Sequence, residues 1–139
     1  MADLTITAAD VLKGSSSSTD SGIAGASITA GQVVYKDTGD ADKWKLADND
    51  DTALKAGSGG LGIALHAASS GQPITVLLSG DLDVGATLTV GSVYVLSSTA
   101  GGICPVADLG TGDYVTILGI ATAADNLRVS KNVSGIQHA

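Results

Sequence analysis

Short apolar runs at period two, cut apart by glycine and aspartate every few residues, constrain this chain more than any other feature. Ile74, Val76 and Leu78 sit at period two, as do Leu88 and Val90, Val93 and Val95, and Val115 and Ile117. Alternation of that kind turns one face of a strand towards a core and the other towards solvent. Punctuation falls between the runs at Gly71, Gly80-Asp81, Gly85, Gly91, Gly101-Gly102 and from Gly110 to Asp113. Residues 32–36, 37–42 and 43–46 read as strand, turn and strand, the turn rich in Gly and Asp as positive φ and side-chain-to-backbone bonds require. Many short strands at this spacing predict an all-β fold, a compact β-barrel or β-sandwich-like domain. Only residues 121–128 and 8–13 have the composition for a turn or two of helix.

The N-terminal part reads differently. Leu4-Thr5-Ile6-Thr7 alternates for one short strand, Val11 and Leu12 follow, and then comes Gly14-Ser-Ser-Ser-Ser-Thr-Asp-Ser-Gly22. A serine-rich stretch buries too little apolar surface to offset the entropy of ordering it. Residues 1–27 are therefore expected to form an extended arm and a flexible or surface-laid link, and residues 28–139 the β domain. An ordinary edge strand and long loop of the same domain account for the same residues equally well.

The β domain carries an internal echo. Ile28-Thr-Ala-Gly-Gln-Val-Val-Tyr35 resembles Leu88-Thr-Val-Gly-Ser-Val-Tyr-Val95, and at the same 60-residue offset Ala47-Asp48 falls on Ala107-Asp108. After a three-residue deletion Leu61-Gly-Ile-Ala64 matches Leu118-Gly-Ile-Ala121, with Ala67 on Ala124. Two copies of a unit this long do not make a solenoid. They predict pseudo-repeated halves, with Trp44 and Cys104 in equivalent slots and both turned inward.

Composition removes several function classes. Fourteen acidic and seven basic side chains leave a net charge of −7, the wrong sign for displacing counterions from nucleic acid. One cysteine excludes a disulfide within the chain and a multi-cysteine zinc site. No apolar run approaches the ~20 residues that span a bilayer, and the first residues lack the basic and apolar segments of a signal peptide. Neither nucleic acid nor membrane is an expected partner, and synthesis inside the cell is expected.

Motifs for chemistry are sparse. Gly57-Ser-Gly59-Gly-Leu-Gly62 fits the spacing of a dinucleotide fingerprint. It lacks the preceding strand, the following helix and the acid about 20 residues on, so a turn into a strand is expected. Asp37, Asp40, Asp42, Asp48, Asp50 and Asp51 lie within 15 residues. They are weak candidates for Ca²⁺, because the loop order of a calcium-binding hand is missing and the chain has no Glu; turn aspartates are the plainer account. Of the two histidines, His138 is penultimate and His66 reads as a strand-end residue. Cys104 precedes Pro105 with no His nearby and reads as a small core side chain. Asn132-Val-Ser134 is a glycosylation sequon, idle unless the chain enters a secretory pathway. No catalytic residue and no cofactor is expected.

The stretch from Ala30-Gly-Gln-Val-Val-Tyr35 through Lys43-Trp-Lys-Leu-Ala-Asp48 resembles small structural proteins of tailed bacteriophages. Gly62-Ile-Ala-Leu65, Gly71-Gln-Pro-Ile-Thr-Val76 and Gly112-Asp-Tyr-Val-Thr-Ile-Leu-Gly-Ile-Ala121 resemble them too. The similarity is to head decoration, or capsid cement, proteins, over roughly residues 28–136, and its motifs are β-structural rather than chemical. It implies a non-enzymatic virion protein on the outer surface of the capsid, made in the host cytoplasm. The implied partners are the major capsid protein and other copies of itself, a trimer favoured over a dimer. Related-looking modules in head fibres and tails imply an alternative, a module that binds a ligand such as a host surface glycan. The resemblance also implies a capsid-contacting arm, here Leu4, Thr5, Ile6, Thr7, Val11 and Leu12, and alternating residues of that kind suit addition of a strand to a neighbour.

Overall fold

A computed structural model describes residues 3–139. The strands are β1 (Val11–Lys13), β2 (Ser18–Ile23), β3 (Val33–Asp37), β4 (Lys43–Leu46), β5 (Leu61–Ala64), β6 (Pro73–Val84), β7 (Val93–Leu96), β8 (Ile103–Pro105), β9 (Tyr114–Ala121) and β10 (Asn126–Gln137). All their ladders are antiparallel. The fold is all-β, a single curled sheet in the order β4-β3-β5-β6-β10-β9-β7-β8, with β1 and β2 both added to β6.

That order is a palindrome in connectivity. Outward from the centre it reads β6, β5, β3, β4 on one side and β10, β9, β7, β8 on the other. The pseudo-repeated halves are therefore two copies of one β unit, joined where β6 residues 80–83 pair with β10 residues 126–129. Local details repeat as well. Gly31 donates its N–H to the Ala64 carbonyl at 2.8 Å, and Gly91 donates to the Ala121 carbonyl at the same distance. Their φ angles, +88° and +84°, are left-handed conformations that glycine adopts at little cost.

The 12-residue β6 is the spine of both units. Its first part pairs with β2 and β5, its last part with β1 and β10. The changeover lies at Gly80, whose φ of +105° is closed to other residues. In the first unit the sheet curls until Ala24 bridges Trp44 and the Gly25 N–H reaches the Trp44 carbonyl at 2.7 Å. Its interior holds Ile28, Val34, Trp44, Ala64, Ile74 and Val76. The opposite face of the same unit carries Val33, Tyr35, Leu61, Ile63 and Leu77. These pack in the larger core against Tyr94, Leu96, Leu118, Leu127 and Val129 of the second unit. The units are thus stacked back to front, and each buried large side chain removes on the order of 1.5–3 kcal/mol of unfavourable hydration. Trp44 and Cys104 are both buried, at 1% and 4% exposure, in the equivalent strands β4 and β8.

Of the two readings left open for the serine-rich stretch, the structure has the strand: β2 lies along β6 from Ser18 opposite Ser79 to Ile23 opposite Pro73. Backbone pairing at a sheet edge needs no apolar side chains, so polarity did not prevent it. Two other expectations are corrected. Leu88 and Val90 lie in a turn rather than a strand, where the Leu88 N–H donates to the Ala124 carbonyl at 2.7 Å and Val90 is exposed. Residues 121–128 form no helix; they are the end of β9, a turn and the start of β10. Of residues 8–13, Ala8–Asp10 form one helical turn and the rest is β1.

Candidate interaction surface

The two units close differently. At the 60-residue offset Ala24-Gly25 corresponds to Val84-Gly85, and Trp44 to Cys104. The first unit joins its two edges directly, Ala24 and Gly25 against Trp44. In the second, the N-terminal arm is laid into the seam instead. The Leu4 N–H donates to the Ile103 carbonyl on β8 at 2.8 Å, and the Thr7 N–H donates to the Gly85 carbonyl at 2.7 Å. Val11, Leu12 and Lys13 then pair with Val84, Asp83 and Leu82.

Side chains fix the arm's register. The Ser97 hydroxyl donates to the Asp3 carboxylate at 2.6 Å. Leu4, Ile6 and Val11 pack half-buried on the larger core. Ile6 and Val11 also cover Gly31, where a Cβ would lie 2.6 Å from one and 3.0 Å from the other. Thr5 and Thr7 face outward with Leu12, which is 68% exposed. Beside them runs an open groove of about 630 Å³ lined by residues of the arm, of β6 and of the Gly85–Thr87 turn. The six arm residues singled out in the sequence thus lie along one seam, three inward and three outward. Their alternation was legible; the seam that receives them was not.

The aspartates do not converge. Asp37 and Asp40 share the Lys45 ammonium at 2.8 and 2.9 Å, and Lys43 lies 3.8 Å from Asp40. Their hydrogen bonds to Lys45 hold both carboxyls below the usual carboxylate range and hold Lys45 above its own. Asp42 is exposed in the turn at φ +58°. Asp51 pairs with Lys55 at 2.6 Å, and Asp50 is exposed. Asp48 is half-buried; burial first, and then the Asp50 carboxyl beside it, push it up to about 6. Among the described residues no three His, Cys, Asp or Glu side chains are placed to hold one ion. The intervening lysines take the charge that a cation would have taken.

Other reactive side chains are occupied in the structure. His66 is exposed just past β5, its Nε2 accepting the Thr75 N–H at 3.0 Å and its Nδ1 lying 2.9 Å from the Ala67 carbonyl. Cys104 is buried, and burial pushes its thiol up to about 11, so it is protonated at neutral pH. Trp44, Tyr35 and Tyr94 are buried and Tyr114 is half-buried, so among the described residues no aromatic ring is fully exposed. The Gly57–Gly62 stretch is a kinked turn leading into β5.

A second surface follows from the back-to-front stacking. Val33 and Ile63 are partners across β3 and β5 and are covered by the second unit, whereas their counterparts Val93 and Ile120, partners across β7 and β9, face outward. Ile120 is 48% exposed, and Val106, which shares a groove with Val93, is 45% exposed. Ile117 and Arg128 complete this face, and Asp81 holds Arg128 at 3.2 Å. No helix among the described residues is long and apolar enough to cross a membrane.

No protein-family model matches the chain, and no curated protein sequence matches it.

Proposed function

We propose that this chain is a virion structural protein that decorates the outside of a tailed-phage capsid and stabilises it by binding between capsomers as an oligomer. The observation that carries this reading is the docked arm. Residues 4–7 form no strand of their own; the arm is an irregular segment running through one helical turn into the three-residue β1, held by a few backbone hydrogen bonds and half-buried side chains, and its outer side leaves Leu12 uncovered. A segment held in this way suits transfer to the edge of a neighbouring protein. The net charge of −7 adds support, since it repels packaged DNA and suits the outer side of a shell. The Val93–Ile120 face offers a contact between copies. Burial of the aromatic side chains favours decoration over a sugar-binding fibre module, which would stack a glycan on exposed rings.

The energetics are those of linkage. A protein that binds the expanded shell alone stabilises it by RT ln(1 + [L]/Kd) at each site, about 2.7 kcal/mol at a hundredfold excess over Kd. Repetition over many sites multiplies a modest affinity, and an oligomer adds avidity. The test mixes the purified protein with expanded capsids lacking it, followed by sedimentation and a thermal melt of the shell. Stoichiometric co-sedimentation with a raised melting temperature is expected for the full chain, and loss of both on deletion of residues 1–13. Capsid occupancy unchanged by that deletion would remove the arm from the mechanism, and no binding by the full chain would remove the decoration role.

A further inference from the structure

We propose that the seam between Gly85 and Ile103 is a strand-exchange site, at which residues 3–14 of one copy leave their own body and take the same place on a second copy. The site follows from the difference between the two units. The first closes its own edges through Ala24, Gly25 and Trp44. The second closes only when a separate segment bridges its edges through Leu4 and Thr7, and the contacts that hold it are the same whichever copy it comes from.

The occupant is specified by the contacts. Ser97 is placed for the Asp3 carboxylate, Ile103 and Gly85 offer carbonyls to the N–H groups of Leu4 and Thr7, and Gly31 leaves room for Ile6 and Val11. A second copy's arm satisfies all of these identically. Exchange therefore conserves the enthalpy of docking, and the balance rests on the hinge and on protein concentration.

The hinge is where the structure is strained. β1 and β2 pair with the same edge of β6, so the chain between them must stay on that edge while β6 twists at Gly80. Ser16 absorbs the mismatch at φ +57°, a left-handed conformation that costs a residue with a Cβ about 1–2 kcal/mol. Its backbone presses on Gly80 closely enough that no Cβ would fit there. Every contact of the arm lies on one side of this point. Rotation at this point re-aims the whole arm once its own contacts with the seam have opened, and an extended Ser16 in the exchanged form relieves the strain. Short strained connections of this kind favour exchange between copies.

The test uses Leu12 and Asp83, which face each other across β1 and β6. A full-length Leu12→Cys chain is mixed at high concentration with a full-length, size-tagged Asp83→Cys chain, incubated and oxidised. Cys104 stays buried and protonated, and the unsubstituted protein serves as the control. A covalent heterodimer that increases with concentration is expected, and Ser16→Gly should reduce its yield about fivefold or more by removing the strain. Because Asp83 also accepts the Gly85 N–H at 3.0 Å, a second measurement avoids replacing it. In a mixture of ¹³C-labelled and unlabelled wild-type protein, isotope-filtered NOEs should connect the Ile6 methyl of one copy to Gly31 of another. Absence of both heterodimer and intermolecular NOE at every concentration, with the Leu12→Cys/Asp83→Cys double variant closing only within its own chain, would overturn the proposal. Shell binding is read separately by sedimentation, so either result leaves the decoration role to its own experiment.

Discussion

Gly31 and Gly91 offer a matched pair for testing whether the arm lies on the body in solution. They occupy the same turn of the two units, with φ of +88° and +84° and the same 2.8 Å hydrogen bond to an equivalent alanine carbonyl. Their surroundings differ in one respect. A Cβ on Gly91 meets nothing within 4 Å, whereas one on Gly31 lies 2.6 Å from Ile6 Cγ2 and 3.0 Å from Val11 Cγ2. Gly91→Ala should therefore cost only the backbone term, about 1–2 kcal/mol. Gly31→Ala should cost that and a further ~1–3 kcal/mol for displacing packed side chains. Urea denaturation of both variants gives the difference directly, with the slope of the transition checking that the unfolded state is unchanged. Replacing Ile6 by Ala removes the closer of the two contacts and leaves the Val11 methyl room to give way. In that background Gly31→Ala should cost about what Gly91→Ala costs, a coupling on the order of 1–2 kcal/mol. Equal costs for the two single variants, or no coupling to Ile6, would refute the packing of the arm on the first unit's turn.

Three further substitutions probe the remaining chemistry. Asp48 has a folded pKa raised from 3.8 to about 6, so the folded state binds more protons than the unfolded state between those values and its stability falls as pH rises through that window. Asp48→Asn should stabilise the protein at pH 7 by about 1 kcal/mol, well below the full value of the shift because the group is partly solvated, and should have almost no effect at pH 3, as denaturant titrations at the two pH values will show. For Asp37 and Asp40 the sign is opposite. Their folded pKa values are lowered by Lys45, so their contribution is present at neutral pH and lost as pH falls through the folded values; Lys45→Ala should flatten that acid limb of a stability–pH curve. The buried Thr116 hydroxyl donates to the Ala56 carbonyl at 2.8 Å, and Thr116→Val should cost about 1–3 kcal/mol in thermal or urea unfolding by leaving that acceptor unpaired.

The elements legible in the sequence are those whose information is local. Alternation and glycine punctuation located β3, β4, β6, β7 and β9, because period-two burial is a property of each strand alone. The repeated octapeptide and the Leu-Gly-Ile-Ala tetrapeptides carried the palindromic order, since equal sequences fold into equal units. What was not legible depends on partners distant in the chain. β2 is a strand because β6, some 55 residues later, offers an unpaired edge, and serine side chains neither help nor hinder that ladder. The aspartates read as a possible chelate because sequence shows density but not direction. In three dimensions Lys43, Lys45 and Lys55 are interleaved among them. The arm's alternation said that it would lie on a sheet edge; it could not say that the edge belongs to its own second unit.

That placement makes the second unit the less self-sufficient of the two, and the asymmetry is measurable at single amides. The Gly25 N–H, bonded to the Trp44 carbonyl, and the Thr7 N–H, bonded to the Gly85 carbonyl, each close one unit, and both bonds are 2.7 Å long. Bond length alone predicts equal protection from hydrogen exchange. Topology predicts otherwise. Gly25 follows directly from β2, whose pairing with β6 runs the length of that strand, so its opening requires disruption of the first unit's sheet. Thr7 opens when a short arm lifts away, and exchange follows the smallest opening that exposes the amide. Thr7 and Leu4 should therefore exchange at least tenfold faster than Gly25, with Gly31→Ala accelerating the first two and leaving the third nearly unchanged. Uniform protection across all three would mean that the arm opens only with the whole domain. A strand that cannot leave its seam separately can neither be passed to a capsid nor exchanged with another copy.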